Sequence, residues 1–82
     1  MTDTKKRRIL LVEDDATISD LVAYNLRRAG YEVLQEQNGH AGLQTALTTD
    51  IDLVLMDLML PSLDGMTASK EIVRHKPALP II

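Results

Sequence analysis

Residues 9–14 read Ile-Leu-Leu-Val-Glu-Asp and residues 53–57 read Leu-Val-Leu-Met-Asp, so two short apolar runs each end in acidic residues. Runs that are apolar without alternation are typical of central parallel strands buried on both faces. If the two strands are neighbours, Glu13, Asp14 and Asp57 meet at one edge of the sheet. Carboxylates about 5 Å apart repel by roughly 3 kcal/mol per pair at an effective dielectric of about 20, so the pattern predicts a bound divalent cation.

The segment after the first run predicts a helix and then an edge strand. Apolar residues recur at helical spacing over residues 16–29, and Gly30 follows as the residue beyond the last turn. Either Asp15 or Thr17 can cap the start of this helix. Residues 31–35 have the partly polar pattern of an edge strand. The side chains predicted to face the sheet are Ile18, Leu21, Val22, Leu26 and Ala29.

Further helices and strands are predicted along the rest of the chain. A second helix covers residues 38–49 with Asn38 as its N-cap. Residues 53–56 form the third strand, and residues 65–76 form a third helix. Residues 79–82 begin a fourth apolar run. The inward-facing side chains are predicted to be Leu43, Ala46 and Leu47 in the second helix, and Met66, Ser69, Ile72 and Val73 in the third.

Alternating strands and helices predict an α/β fold, a doubly wound parallel sheet in the order 2-1-3-4 with helices on both faces. A fourth strand at the end of the chain leaves one sheet edge uncovered. We therefore expect residues 8–82 to be an incomplete piece of a longer domain, which runs from the first strand to the start of the fourth. Residues 1–7 are a basic lead-in to which we assign no function.

Composition limits the classes of protein to which the chain can belong. Its 82 residues allow one small domain at most, and the absence of Phe and Trp predicts an aliphatic core. The net charge of −3 and the pI near 5.2 argue against direct binding of nucleic acid. Because there is no cysteine, and because the apolar stretch after residues 5–8 is too short to span a membrane, we expect a cytoplasmic protein.

The acidic residues at the strand ends suggest a specific chemistry. Hard oxygen ligands favour Mg²⁺ or Mn²⁺ over zinc, and the backbone carbonyl of Met59 can complete the protein's share of the ligands. Asp57 stands alone after a buried strand and is best placed to attack a phosphoryl group, giving an acyl phosphate. Glu13 and Asp14 form a pair that is better suited to hold the ion.

A blander interpretation also exists, because acidic residues in strand-to-helix loops often only cap the next helix. Asp15 can have that role alone, whereas three carboxylates at neighbouring strand ends are harder to explain in this way. His40 and His75 have no partner at metal-ligand spacing and are interpreted as solvated side chains. The sequence has no glycine-rich nucleotide loop.

Three stretches of the chain, residues 9–15, 57–61 and 64–65, resemble the receiver domains of bacterial response regulators. Residues 24–26 and 29–31 are similar to those of the OmpR and PhoB branch of transcriptional regulators. The resemblance implies a flavodoxin-like fold and a longer parent protein with a separate DNA-binding domain. In that parent a sensor histidine kinase phosphorylates the receiver.

The resemblance also implies roles for individual residues. Asp57 is the expected phosphoacceptor, and the expected Mg²⁺ ligands are Glu13, Asp14, Asp57 and the carbonyl of Met59. The family also uses a Thr or Ser after the fourth strand and a Lys after the fifth, and both lie beyond Ile82. The chain is therefore expected to hold the ion better than it transmits a signal.

Two alternative functions remain open from the sequence. A phosphatase with an aspartate nucleophile needs a second acid two residues after it, but that position is Met59, so turnover is not expected beyond slow self-dephosphorylation. A fragment that cannot be phosphorylated can instead act as an interaction module. It would form a homodimer, or exchange elements with a second copy, through the open sheet edge.

Overall fold

The computed structural model describes residues 6–57 and 64–82, which form a parallel sheet of three strands with helices on both faces. In chain order the elements are β1 (Arg8–Val12), α1 (Ala16–Arg28), β2 (Glu32–Glu36), α2 (Gly39–Thr48), β3 (Leu53–Met56) and α3 (Asp64–His75). The predicted elements are confirmed, with boundaries shifted by a residue or two. None of the helices in these two ranges has the length and apolar character needed to cross a membrane.

The sheet has the order β2-β1-β3, with every neighbouring pair parallel. Leu10 of β1 lies between Leu34 of β2 and Val54 of β3. Residues 80–82 run beside β3, where the Val54 N–H donates to the Pro80 carbonyl over 2.9 Å, and Ile81 forms an isolated parallel bridge with Val54. This last segment lies where the order 2-1-3-4 predicts, although it forms a bridge and not a full strand.

The larger part of the core lies between the sheet and helices α2 and α3. Its fully buried large side chains are Leu10, Val12, Val54 and Ile72. The same cluster includes Ala46 of α2 and Ala68 of α3, together with Ile51 and Met56, and Leu43 is partly buried against it. Leu43 and Ala46 are therefore confirmed as inner-face residues of α2, whereas Leu47, predicted with them, is partly buried and belongs to neither core cluster.

A smaller cluster lies on the opposite face, where α1 covers the sheet. Leu11 and Val33 are buried there against Ala23 of α1, and three partly buried residues pack around them: Val22, Leu26 and Leu55. Because α1 lies mainly over β1 and β2, the β3 side of this face is less well covered. The two clusters together confirm that the helices lie on both faces of the sheet.

The predicted inner face of α1 is partly wrong. Ile18 and Leu21 are 48% and 62% exposed, and the buried residues of this helix are Ser19 and Ala23. Small side chains let the helix backbone approach the strands closely, so the contact face is rotated by about one residue, or 100°, from the face with the largest apolar residues. Ala29, predicted as the end of the inner face, is the exposed C-cap.

The inner face of α3 needs a similar correction. Ala68 and Ile72 are buried, whereas Met66 and Val73 are 48% and 50% exposed. Ser69 is partly buried, and its hydroxyl has no hydrogen-bond partner within the described structure. Only a narrow face of α3 packs against α2. Met66 and Val73 lie outside that face, beside Ile81 and Ile82.

The helix ends follow known capping rules. Asp15 caps α1, because its carboxylate accepts the Ile18 N–H over 3.1 Å, and this settles the choice between Asp15 and Thr17. Asn38 caps α2 as predicted, accepting the Ala41 N–H over 2.8 Å. After α1, Gly30 has a φ of 103°, which is the left-handed conformation predicted for the residue beyond the last turn.

A close approach between α2 and β1 depends on Gly42. A Cβ atom at this position would lie 2.6 Å from one methyl carbon of Val12 and 3.2 Å from the other. The Val12 side chain is fully buried and β-branched, so it has little freedom to move aside. Gly42 therefore sets how closely α2 covers β1, the strand that directly precedes Glu13.

We predict that Gly42→Ala destabilises the chain. In an exposed helix the same change would stabilise by about 1 kcal/mol, but overpacking against Val12 is expected to cost about 1–3 kcal/mol. Urea unfolding followed by far-UV circular dichroism measures the difference. Gln44→Ala, at an exposed position of the same helix, should change stability little. In a Val12→Ala background the penalty should shrink, and a Gly42→Ala chain as stable as the unsubstituted chain would contradict the prediction.

Candidate functional site

Three carboxylates meet at the carboxyl end of the sheet. Glu13 and Asp14 directly follow β1, and Asp57 directly follows β3. Each offers one oxygen, and these oxygens lie within 4.8 Å of one another. Since β1 and β3 are paired in parallel, their ends reach the same edge together. The structure thus brings together the three side chains that the sequence assigned to one site.

The sheet hydrogen bonds continue into the site and fix its backbone. The Glu13 N–H donates to the carbonyl of Glu36 over 3.0 Å, and the Asp57 N–H donates to the carbonyl of Val12 over 3.1 Å. Both carboxylates are therefore attached to backbone that the ladder holds in register. Their side chains are partly buried, whereas the Asp14 side chain is exposed.

The turn from β1 into α1 arranges the acidic residues around Glu13. The Asp15 N–H donates to a Glu13 carboxylate oxygen over 3.1 Å. The Asp15 carboxylate itself accepts the Ile18 N–H at the start of α1. Both the backbone and the side chain of Asp15 are thus held by hydrogen bonds, and its backbone N–H contacts Glu13 of the cluster directly.

Opposing influences act on the pKa of the Glu13 carboxyl. The hydrogen bond from the Asp15 backbone is the largest single influence and lowers this pKa. Desolvation by burial, a side-chain hydrogen bond with Asp14 and the charges of Asp57 and Asp14 all raise it. The raising influences together outweigh the hydrogen bond, so the pKa of Glu13 lies above its ordinary value.

The donor set fits a hard divalent cation. Magnesium binds oxygen at about 2.1 Å, so ligands on opposite sides of the ion lie about 4.2 Å apart. Carboxylate oxygens within 4.8 Å of one another need only small side-chain rotations to reach such spacings. The fourth predicted ligand, the backbone carbonyl of Met59, lies outside the described residues.

Neither histidine belongs to this cluster. His40 and His75 both have exposed side chains, and the Nδ1 of His75 lies 3.0 Å from the backbone carbonyl of Glu71. Across residues 6–57 and 64–82, Glu13, Asp14 and Asp57 form the group of metal-ligating side chains close enough to share an ion.

One contact that supports the site was not predicted from the sequence. The Thr45 hydroxyl of α2 donates to the Glu36 carboxylate over 2.6 Å, and the Glu36 carbonyl in turn accepts the Glu13 N–H. Helix α2 is therefore linked to the site through β2. Apolar periodicity carries no signal for such a contact, because both side chains are polar and lie on different elements.

Comparison with known proteins identifies the family. The profile described as the response regulator receiver domain matches residues 9–82, which include all of the sheet except Arg8, and the acidic cluster. The chain belongs to the response regulator receiver domain family. It is 40% identical over 76 residues to the alkaline phosphatase synthesis transcriptional regulatory protein PhoP of Bacillus subtilis, a match covering 93% of this chain and 32% of that protein.

Other relatives support the assignment. The DNA-binding dual master transcriptional regulator RpaA of Synechocystis is 46% identical over 69 residues, covering 84% of this chain and 29% of RpaA. The chain thus spans about a third of the length of these curated relatives. The regulator TrrA of Thermotoga maritima, solved in complex with Mg²⁺-BeF, has a TM-score of 0.87 and 32% identity over 92% of this chain and 65% of that one.

The receiver fold appears again in a second TrrA structure, that of the histidine kinase ThkA in complex with TrrA. It superposes with a TM-score of 0.84, at 32% identity over 92% of this chain and 65% of that one. These receivers confirm the fold class and the family resemblance predicted from residues 9–15 and 57–61. The roles of individual residues of this chain remain predictions.

We predict that Asp57→Asn lowers the pKa of Glu13, because the Asp57 charge is one of the influences that raise it. A raised pKa in the folded state stabilises the chain fully below the unfolded-state pKa, and this contribution is lost as pH rises through the folded-state pKa. Near neutral pH without divalent cations, Asp57→Asn should therefore unfold at a higher urea concentration than the unsubstituted chain.

Carbon-detected NMR titration of the Glu13 carboxyl, together with urea unfolding in EDTA, tests this expectation. Asp52→Asn is the matched control, since Asp52 lies just before β3 at the opposite edge of the sheet and accepts the Arg8 N–H through an oxygen that Asn keeps. An unchanged Glu13 pKa in Asp57→Asn would show that the carboxylates do not interact.

Proposed function

We propose that this chain is the phosphoacceptor module of a two-component response regulator, with Asp57 as the residue that is phosphorylated. The observation that carries the proposal is the meeting of three carboxylate oxygens within 4.8 Å at the ends of β1 and β3. In the transfer from phosphohistidine, an Asp57 oxygen bonds to phosphorus as the P–N bond breaks. The phosphohistidine that reacts is protonated on its other ring nitrogen, so the imidazole leaves neutral and keeps that proton.

Mg²⁺, or Mn²⁺ in its place, is the proposed cofactor. Glu13, Asp14 and Asp57 would hold it with their carboxylates, and Met59 with its backbone carbonyl. The bound ion would offset the charge of the phosphoryl oxygens during transfer. The TrrA complex with Mg²⁺-BeF supports this proposal by the similarity of the two folds. Until the ion binds, Asp57 and Glu13 repel one another, and this repulsion favours ion uptake.

The proposed partner is a sensor histidine kinase, and the surface proposed for it is one side of α1. This helix begins beside the acidic cluster, and three of its apolar side chains point to solvent: Ile18, Leu21 and Tyr24. A kinase that brings its histidine to Asp57 has to cover the surface next to the site. The complex of TrrA with ThkA supports a partner of this class.

The parent protein proposed for this module is a cytoplasmic transcriptional regulator. Support comes from the similarity to PhoP and RpaA, of which this chain spans about a third. Contact with DNA would then belong to a further domain and not to residues 8–82, whose site edge is acidic. Residues 1–7 are proposed as a lead-in without a separate role.

The chain is a phosphoacceptor by family, and we propose that its only hydrolytic activity is slow self-dephosphorylation. Attack of water on the acyl phosphate needs a base to accept a proton. The two histidines of the sequence are exposed and are not among the side chains of the acidic cluster. Repeated turnover of phosphate esters is therefore not part of the proposal.

A second candidate function, as a self-associating module, is favoured by the edge beside β3. Pro80 and Ile82 exchange hydrogen bonds with Val54, so the alternation of a parallel ladder turns the N–H and C=O of Ile81 toward the other side. Ile82 is 75% exposed there, next to exposed Met66 and Val73 of α3. We propose that a second copy pairs along this edge and covers these side chains.

Phosphorylation is predicted to require both Mg²⁺ and Asp57. After incubation with Mg²⁺ and phosphoramidate, intact-mass spectrometry should show one added phosphoryl group. Asp57→Asn should gain none, and neither should a sample with EDTA in place of Mg²⁺. Asp52→Asn, which removes an equal charge at the other end of β3, should be modified like the unsubstituted chain. A folded chain that gains no mass, or an Asp57→Asn variant that does, would refute the assignment.

Self-association is predicted to depend on the outer side of residues 80–82. Sedimentation velocity should show a monomer–dimer equilibrium that moves toward dimer as concentration rises. Ile82→Lys, which adds a charge to the open edge, should weaken the dimer, because edge charges oppose strand pairing. Gln44→Lys adds the same charge at an exposed position of α2 and should have no effect. A chain that stays monomeric at all concentrations excludes this candidate.

A further inference from the structure

The basic residues of this chain are concentrated at one edge of the sheet, where the carboxylates of Glu32, Asp50 and Asp52 also lie. Parallel strands begin at one edge, and the helices that connect them return to that same edge. The basic residues gather there, before or at the start of β1 and at the ends of α1 and α3: Lys6, Arg7, Arg8, Arg27, Arg28, Arg74 and Lys76. Lys70, within α3, is the one exception among the described residues.

The opposite edge, which carries the proposed phosphoacceptor, is acidic. Five carboxylates lie at or just beyond the strand ends: Glu13, Asp14, Asp15, Glu36 and Asp57. Residues 58–63, which follow Asp57 in the sequence, read Leu-Met-Leu-Pro-Ser-Leu and include no charged residue. An anionic phosphodonor that approaches this edge therefore meets several carboxylates, of which Asp15 lies outside the proposed ligand set of the ion.

Part of this distribution of charge has a simple structural cause, because basic residues in the last turn of a helix and acidic caps both favour the helix dipole. The Asp15 charge is not required by its capping role. The Ile18 N–H needs only an acceptor oxygen, which Asn supplies equally well. The Asp15 backbone holds Glu13 through its N–H, and any residue except Pro would keep that bond. The negative charge of Asp15 is therefore needed neither for the helix cap nor for the hydrogen bond to Glu13.

The effect of this charge is Coulombic repulsion, and it depends on the charge of the donor. Asp15 is exposed, is not in the proposed ligand set, and begins 3.1 Å from a Glu13 carboxylate oxygen. At low ionic strength a unit charge about 8 Å away lowers the local concentration of a monoanion by about twofold and of a dianion by about fivefold. Salt removes most of this difference, since the screening length falls to about 3 Å at 1 M.

We propose that Asp15 is a specificity-determining residue that selects phosphodonors by charge. It disfavours dianionic acyl phosphates relative to monoanionic N-phosphorylated donors, the class to which a protonated phosphohistidine belongs. The inference rests on the proposed function of Asp57 and adds the substrate class to it. A receiver with this filter resists small metabolic acyl phosphates more than it resists its kinase.

The transfer step is the same for both kinds of donor and differs in the leaving group. With acetyl phosphate, an Asp57 oxygen bonds to phosphorus while the P–O bond to the acyl group breaks, and acetate leaves with the bonding electrons. With phosphoramidate, whose nitrogen is already protonated, the P–N bond breaks and ammonia leaves. The net charge of reactants and products is equal in each reaction.

The test compares the full 82-residue chain with its Asp15→Asn variant. Phosphorylation rates are measured by intact mass with acetyl phosphate and with phosphoramidate, at Mg²⁺ concentrations that saturate each variant. At low ionic strength Asp15→Asn should raise the acetyl phosphate rate about twofold more than the phosphoramidate rate. At about 1 M salt the two variants should show the same ratio of rates. Asp52→Asn, at the opposite edge, should leave the ratio unchanged.

Several outcomes would overturn the inference, and each is distinct. An equal change with both donors would mean that Asp15 acts through position and not through charge. A change in ratio that persists in high salt would have the same meaning. Circular dichroism should show the same helix content for both variants, which establishes that Asn keeps the cap. If the unsubstituted chain accepts phosphate from neither donor, the proposed function fails as well, whereas phosphorylation with an unchanged ratio refutes only the donor selection.

Discussion

The parallel pairing of β1 with β3 is the constraint on which the rest of this structure depends. It aligns Leu10 with Val54 and Val12 with Met56, so the next residues of both strands reach the same edge. Three carboxylates meet there at a cost in electrostatic free energy. Burial of large aliphatic side chains on these same strands opposes that cost, since each contributes roughly 1.5–3 kcal/mol. Hydrophobic burial on β1 and β3 therefore offsets the repulsion among the three carboxylates.

Helix α2 has more influence on that site than its distance along the chain suggests. Gly42 lets its backbone touch Val12, the residue immediately before Glu13. One turn later, Thr45 holds the carboxylate of Glu36, whose carbonyl accepts the Glu13 N–H. An apolar contact and a polar contact thus act on the same short stretch of β1. The position of the Glu13 backbone therefore depends on contacts from α2 as well as on pairing within the sheet.

Much of the fold could be predicted because its signals are local. Continuous apolar runs located β1 and β3, while Gly30 and Asn38 marked helix boundaries by their own backbone and side-chain chemistry. The acidic cluster followed from strand order alone. Helix faces were less predictable, because the residues against the sheet in α1 are Ser19 and Ala23, whose small size permits close contact. Ser19 also accepts a hydrogen bond from Gln35 over 2.8 Å, a pairing that no periodicity reveals.

The β2 edge of the sheet is covered by a side chain, which limits how another strand can pair with it. On β2, Arg27 reaches from α1 to donate to the backbone carbonyl of Val33 over 2.9 Å, and it also contacts the Gln35 side chain. An incoming strand would have to displace this guanidinium to pair there. The β2 border of the sheet is therefore blocked by a side chain. If two copies pair along residues 80–82 as proposed, the blocked β2 border keeps the joined sheet from growing into a fibre.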